Sequence, residues 1–164
     1  MFKAAITSAA AAILLAGCAS PEPRVAYQEP QGGPTAFVSF RNATPGRVGL
    51  AVYQDAATCT NRHFLPPLLV GETQTIAVPG GRPLAFSIRY SIPNRTPDRH
   101  CEVTASFETV ADGRYEAVIR PSGENSCTVD LARLRDGQRG GVKAMLRESL
   151  DSSTERGPFC TGRL

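Results

Sequence analysis

The sequence predicts an all-β protein, an antiparallel β-sandwich of about seven strands with a short C-terminal helix added. Apolar and polar residues alternate along much of the chain after Thr35, and a period of two is typical of strands that bury one face. Clusters of Gly, Pro, Asn and Asp separate the alternating runs, as turn residues do. An even set of cysteines in the same region predicts two disulfides within one small domain.

The strand signal lies in runs of alternating or β-branched residues that cover 36–40, 48–53, 74–78, 84–92, 101–107, 115–120 and 127–131. Two turns follow from Pro79-Gly80-Gly81 and Ala111-Asp112-Gly113. The second turn predicts a hairpin between the strands that hold Phe107 and Tyr115. Two sheets that each hide one face against the other explain the regular alternation, which favours an Ig-like or transthyretin-like sandwich.

The segment 141–152 departs from the period of two. Val142, Met145, Leu146 and Leu150 fall at helical spacing, and charged residues occupy several of the positions between them. We expect a short amphipathic helix here, with its apolar stripe packed on the sandwich. A helix that binds a partner through the same stripe is the alternative.

The first residues of the chain have the features of a secretory signal. Lys3 gives a positively charged start, and residues 4–16 form a small or apolar run interrupted only by Thr7 and Ser8. This run is too short for a membrane-spanning helix, which needs about 20 predominantly apolar residues. A signal of this kind is removed from the mature protein.

The residues Leu15-Ala16-Gly17-Cys18 end the signal and resemble the bacterial lipobox. The resemblance implies that Cys18 receives a diacylglyceryl thioether, that cleavage occurs before it, and that its new amine is acylated, for example with palmitate. Ala19, rather than Asp, favours the outer membrane by similarity to enterobacterial sorting. We therefore expect a lipid anchor at the outer membrane that faces the periplasm, or alternatively the cell surface. An ordinary secreted protein with an unmodified Cys18 is the competing interpretation.

Three regions follow from these signals. Residues 1–17 are the lipoprotein signal peptide, 18–34 are the lipidated N-terminus and a flexible tether, and 35–164 are the sandwich domain with its C-terminal helix and tail. The tether is rich in Pro, Gln, Glu and Gly, a composition that does not build a core. It reaches about 20 Å when relaxed and about 55 Å when stretched, and we expect Val25 and Tyr27 to lie in solvent.

With Cys18 acylated, Cys59, Cys101, Cys127 and Cys160 remain for disulfides in an oxidising compartment. Three pairings are open, and we favour Cys59–Cys101 with Cys127–Cys160. A zinc site built from Cys59, His63, His100 and Cys101 is the alternative. Adjacent residues on a strand point to opposite faces, so His100 and Cys101 are poor joint ligands. We expect no metal and no cofactor.

Motifs that carry chemistry are missing from the sequence. It has no nucleophile elbow, phosphate loop, dinucleotide-binding loop or metalloprotease helix motif, so we predict no catalytic residues and no enzyme. His63 and His100 are expected as surface histidines. The net charge of +3 is spread along the chain, and without a basic stripe we expect no nucleic-acid partner.

Several short segments are similar to uncharacterised proteobacterial lipoproteins with β-sandwich bodies. They include Val78-Pro-Gly-Gly-Arg-Pro-Leu84, Gly113-Arg-Tyr115 and Ser126-Cys127-Thr-Val129. The resemblance implies an envelope lipoprotein and brings no catalytic residues. The lipobox, length and strands also resemble the transthyretin-like lipoprotein of type VI secretion, which grips an inner-membrane partner.

The expected function is that of a non-catalytic envelope lipoprotein, anchored to the membrane through Cys18. Its sandwich would contact another envelope protein or the cell wall. The alternatives are a small ligand-binding lipoprotein with an apolar pocket between its sheets, an accessory lipoprotein of a secretion system, and a small envelope enzyme that uses His63 or His100.

Overall fold

The structure, a computed structural model, describes residues 23–91, 100–123 and 126–161. Within these ranges the chain forms eleven strands and no helix. The strands are β1 (Val25–Ala26), β2 (Thr35–Asn42), β3 (Val48–Asp55), β4 (Thr60–Leu68), β5 (Thr73–Pro79), β6 (Pro83–Ser91), β7 (His100–Glu108), β8 (Arg114–Pro121), β9 (Cys127–Arg135), β10 (Gln138–Gly141) and β11 (Met145–Arg147).

The strands form two sheets, which confirms the predicted all-β class. One sheet has six strands in the order β1-β4-β3-β6-β7-β11, and the other has five in the order β10-β9-β8-β2-β5. The prediction of purely antiparallel sheets is wrong, because β1 runs parallel to β4 and β2 runs parallel to β8. The predicted hairpin between β7 and β8 is also wrong, since its turn carries the chain from one sheet to the other.

Strand β4 accounts for part of the difference between about seven predicted strands and the eleven found. It contains Pro66 and Pro67, which cannot donate to a ladder and argue against a central strand. The strand tolerates them because β1 pairs only with His63 and Phe64 and leaves the prolines without a neighbour on that side. On the other side, a register shift between Val48 and Leu50 accommodates the irregularity.

The core lies between the sheets and is organised by a row of aromatic rings. Ring centroids of Phe40 and Phe86 are 5.2 Å apart, those of Phe86 and Phe107 are 6.3 Å apart, and those of Phe107 and Tyr115 are 4.9 Å apart. Phe40 and Tyr115 come from the five-stranded sheet and the other two from the six-stranded sheet. Edge-to-face contacts of this kind lock the two inner faces together.

A second, smaller cluster covers part of the outer face of the six-stranded sheet. The C-terminal segment that follows β11, here called the tail, places Phe159 against Tyr53, with ring centroids 5.8 Å apart. Both side chains are buried together with Ala85. The tail therefore acts as a third layer over one half of this face.

The predicted helix over 141–152 is absent, and the segment instead supplies β10 and β11. Strand β11 pairs antiparallel with β7. This pairing satisfies the backbone N–H and C=O groups on the side of β7 that faces away from β6, which would otherwise lack hydrogen-bond partners. The buried residue of β11 is Arg147, which donates to the carbonyl of Ala57 at 2.6 Å, to Ser106 Oγ at 3.3 Å and to the carbonyl of Thr161. The buried side chain of this strand is therefore Arg147, whereas Met145, Leu146 and Leu150, which suggested a helix, are exposed.

The prediction that four of the cysteines form two disulfides is confirmed, but both bonds of the favoured pairing, Cys59–Cys101 and Cys127–Cys160, are wrong. Cys59 bonds to Cys160 across a separation of 101 residues, and Cys101 bonds to Cys127 across 26 residues. Cys101 and Cys127 begin strands of opposite sheets, so their bond joins the two layers. The Cys59–Cys160 bond fastens the tail to the turn between β3 and β4.

We expect the two disulfides to contribute unequally to stability. Loop closure predicts a loss of about 4.7 kcal/mol for Cys59→Ala/Cys160→Ala and about 3.5 kcal/mol for Cys101→Ala/Cys127→Ala, from separations of 101 and 26 residues. Urea unfolding of the two double variants beside the parent protein measures both losses. A larger loss of stability in Cys101→Ala/Cys127→Ala than in Cys59→Ala/Cys160→Ala would show that the tail does not unfold cooperatively with the sandwich.

Candidate functional site

The predicted lipidation residue, Cys18, lies outside the described residues, as do the predicted signal peptide, 1–17, and the first part of the predicted tether, 18–22. Acylation of Cys18 therefore stays a prediction. The described ranges contain no helix of the length and hydropathy needed to span a bilayer.

The structure separates the residues of the zinc alternative. Cys59 and Cys101 are both in disulfides, so neither thiol can bind a metal. His63 and His100 lie on β4 and β7, with β3 and β6 between these strands. Across the described part of the chain, no three His, Cys, Asp or Glu side chains are grouped closely enough to hold a metal ion.

The two histidines have different surroundings. His63 is half-buried and lines a surface cavity of about 220 Å³, and no Ser, Thr or Cys belongs to that lining. His100 is exposed, and its Nε2 atom lies 3.1 Å from Nη2 of Arg89. Ser91 is the cross-strand partner of His100, but no hydrogen bond joins either histidine to a serine, threonine or cysteine among the described residues.

The second half of the predicted tether is docked on the sandwich. Residues 25–29, here called the strap, begin with β1 and then cross to the other sheet. The Tyr27 amide donates to the carbonyl of Phe64 at 2.8 Å, and the Tyr27 hydroxyl donates to the carbonyl of Ala77 at 2.7 Å. The Ala77 amide donates to Oε1 of Glu29 at 3.0 Å. The expectation that Tyr27 lies in solvent is wrong, since its ring packs against the core, whereas Val25 is 50% exposed.

The strap places Arg24 beside the outer face of the six-stranded sheet. Parallel pairing of Val25 with His63 and Ala26 with Phe64 sets Arg24 next to Arg62. Both guanidinium groups lie over the Phe64 ring, with Cζ atoms 5.0 Å and 4.9 Å from its centroid. Cation–π attraction therefore supports both arginines at the same wall.

The part of this face that the tail leaves uncovered forms a groove of about 290 Å³, here called the arginine trough. Its floor consists of the small residues Gly49, Ala51 and Ser87 on β3 and β6. One wall carries Arg24, Arg62 and Phe64, and the other carries Arg89 and Glu102.

The arginines of the trough differ in their partners. Nη2 of Arg62 lies 2.6 Å from Oε2 of Glu155, and the same guanidinium stacks over Phe159 at 4.0 Å. Arg24 and Arg89 have no carboxylate within salt-bridge distance among the described residues. The trough therefore presents two guanidinium groups that can still receive an anion.

A second surface lies at the opposite edge of the same sheet. Met145, Leu146 and Leu150, here called the apolar edge, are 39%, 73% and 39% exposed. Met145 and Leu146 belong to β11, the outermost strand. The residues that suggested an amphipathic helix thus form an exposed apolar surface on a strand and the segment after it.

No protein family model matches the chain, and no curated protein matches it significantly. Function therefore has to be inferred from these two surfaces and from the sequence of the N-terminal segment.

We expect the strap to become weaker at high pH. Burial, reinforced by the Glu29 carboxylate, raises the pKa of Tyr27 to about 12 from its ordinary value of 10.0. The stabilisation is complete below pH 10, because the phenol is then neutral in both states, and it is lost as the pH rises toward 12. Tyr27→Phe should lower the unfolding free energy at pH 8 by about 1 kcal/mol and reduce the further loss at pH 11.

Urea unfolding at the two pH values measures both effects. Glu29→Gln is the matched control, because it weakens the same strap but keeps the phenol of Tyr27, and it should retain most of the alkaline loss. An alkaline loss in Tyr27→Phe equal to that of the parent protein would show that this hydroxyl is not buried on the sandwich.

Proposed function

We propose that the mature chain is a non-catalytic interaction module of the bacterial envelope, held by an acylated Cys18 at the periplasmic side of the outer membrane. The observation that carries the proposal is the apolar edge, which leaves Leu146 73% exposed on an outermost strand. Exposed apolar side chains of this kind mark a surface that another protein can cover.

The apolar side chains of this edge distinguish it from two other sheet edges. On β5, both backbone groups of Ala77 are occupied by the strap. On β10, Arg139 is ion-paired with Asp130 at 3.0 Å, and charged residues discourage strand addition. Strand β11 is three residues long and carries the inward-pointing Arg147, which also limits strand addition, so we infer that Met145 and Leu146 bind a partner in the envelope through their exposed side chains.

The two disulfides support the proposed compartment. Cys59 and Cys160 are fully buried, and Cys101 is nearly so. Disulfides persist in exported proteins and are rare in the reducing cytosol. They fit the export that the lipobox resemblance implies.

We further propose that the sandwich is of the transthyretin-like rather than the Ig-like type. In an Ig domain the first two strands of the body share one sheet. Here β2 and β3 lie in different sheets. This order supports the comparison with the transthyretin-like lipoprotein of type VI secretion, and with it the alternative role of an accessory lipoprotein that grips another envelope protein.

The ligand-binding alternative is supported by a different feature from the one expected. The space between the sheets is filled by the aromatic row, which does not favour an apolar pocket there. The arginine trough on the outer face is the concave surface that fits a ligand, and its chemistry favours an anion.

The anchor is tested by replacing its thiol. Cys18→Ser cannot form the thioether, so the protein should move to the soluble fraction when membranes are washed in high salt, which releases proteins held by charge alone. Fractionation and immunoblotting measure the shift, and the parent protein is the control. A variant that still sediments with the washed membranes at the same processed size would contradict the lipid anchor.

The apolar edge is tested by photo-crosslinking in intact cells. A photoreactive amino acid at Met145 should capture a discrete envelope protein, and Leu146→Asp should abolish that adduct. Burying a leucine contributes about 2 kcal/mol, so binding should weaken about 30-fold or more when a carboxylate replaces it.

Val70→Asp is the matched control, since Val70 is 63% exposed and lies in the turn between β4 and β5. This variant loses an equally exposed apolar side chain and should keep the adduct. Equal loss of the adduct in both variants, or no loss in Leu146→Asp, would exclude the apolar edge as the binding surface.

A further inference from the structure

We propose that the arginine trough binds the phosphate headgroup of an anionic membrane lipid, so that the outer face of the six-stranded sheet lies on the bilayer. This inference rests on the proposed lipid anchor at Cys18 and adds a second, non-covalent attachment to the same membrane. It concerns the part of the six-stranded sheet around β3 and β6, whereas the apolar edge lies at β11, beyond β7.

The docked strap brings this face close to the anchor. Arg24 follows Cys18 by six positions, and six residues span about 20 Å when fully extended. The strap holds residues 25–29 on β4 and β5. These residues therefore cannot serve as part of the long tether, expected from the sequence, that would separate the domain from the membrane. Arg24 is therefore the part of the described fold that is nearest to the acylated residue along the chain.

The charges of the trough fit a phosphodiester. Arg24 and Arg89 stand on opposite walls and form no salt bridge in the described ranges, and Nη2 of Arg89 also contacts the ring of His100. Guanidinium groups bind phosphate oxygens in pairs of parallel hydrogen bonds. Arg62 is held by Glu155, and Glu102 is the acidic group on the Arg89 wall. Three arginines against these two carboxylates leave the trough positive.

The shape of the trough admits a headgroup. Arg62 and Arg89 stand on β4 and β6, on either side of β3, and two strand spacings put these strands about 10 Å apart. Arg24 precedes β1, which lies one further spacing away. Gly49 leaves the floor open, since a Cβ atom added there would have the Arg89 carbonyl as its nearest neighbour at 3.7 Å. A larger side chain at Gly49 can therefore fill the trough without straining the strand.

The test uses the complete mature chain with Cys18→Ser, exported behind a non-lipoprotein signal peptide so that its disulfides form. We expect it to co-sediment with phosphatidylglycerol vesicles at least tenfold more tightly than with phosphatidylcholine vesicles. Arg24→Gln/Arg89→Gln should weaken the binding about 30-fold, given the usual attraction of each arginine to an anionic surface. Gly49→Leu should weaken it at unchanged charge, by occupying the floor.

Arg114→Gln/Arg135→Gln is the matched control. It removes the same charge from exposed positions on the five-stranded sheet and should change binding less than threefold. Thermal unfolding confirms that each variant is folded. Equal losses in the two double variants would show attraction by net charge alone, and an absence of preference for phosphatidylglycerol would also overturn the proposal. Because this protein lacks the acyl group, the result is independent of whether Cys18 is acylated in cells.

Discussion

The arrangement of the whole molecule depends on the hydrogen bonds that the strap makes to one residue of an edge strand. Ala77 has its amide bound by Glu29 and its carbonyl bound by Tyr27. These bonds satisfy the backbone of β5, which would otherwise be open to another strand. They also tie the five-stranded sheet to β1, which belongs to the six-stranded sheet. The strap thus closes one side of the sandwich and at the same time positions Arg24.

The two ends of the described chain meet on the same outer face. The strap delivers Arg24 to one wall of the arginine trough, and the tail delivers Phe159 and Glu155, which stack on and pair with Arg62. The Cys59–Cys160 bond and the buried Arg147 hold the tail in place. A small-residue floor and a cationic rim result because the described part of the tail packs on Tyr53 and Ala85 and not on Gly49 and Ala51.

The sequence predicted the local features of the fold better than the contacts between distant segments. Alternation correctly placed Val38 and Phe40 in the core, because the side-chain period of a strand depends only on local geometry. It did not reveal to which sheet a strand belongs, and the β7–β8 connection was therefore misassigned. The prediction of the disulfide pairing was wrong for the same reason, since the pairing depends on which strand ends lie close together in space.

The errors in the candidate sites have specific physical causes. Strand β4 was missed because Pro66 and Pro67 are tolerated only where the neighbouring strand ends. The strap was taken for a tether because its composition is polar, although Tyr27 and Glu29 bind backbone groups of Ala77 and the Tyr27 ring packs against the core. Arg24 and Arg89 are 65 positions apart in the sequence, and only the sheet brings them to one groove. Leu146 was expected to pack on the sandwich as part of a helix, but its segment pairs with the open edge of β7 and leaves it exposed.

The parallel pairing of β1 with β4 has a mechanical consequence. In a chain held at Cys18, tension between the membrane and a bound partner enters the fold at Val25 and runs along the axis of β1. The bonds of the strap are then loaded together in shear, which resists rupture better than breaking them one after another. The disulfide between Cys101 and Cys127 joins the two sheets covalently, so a pull transmitted through the fold does not separate its layers.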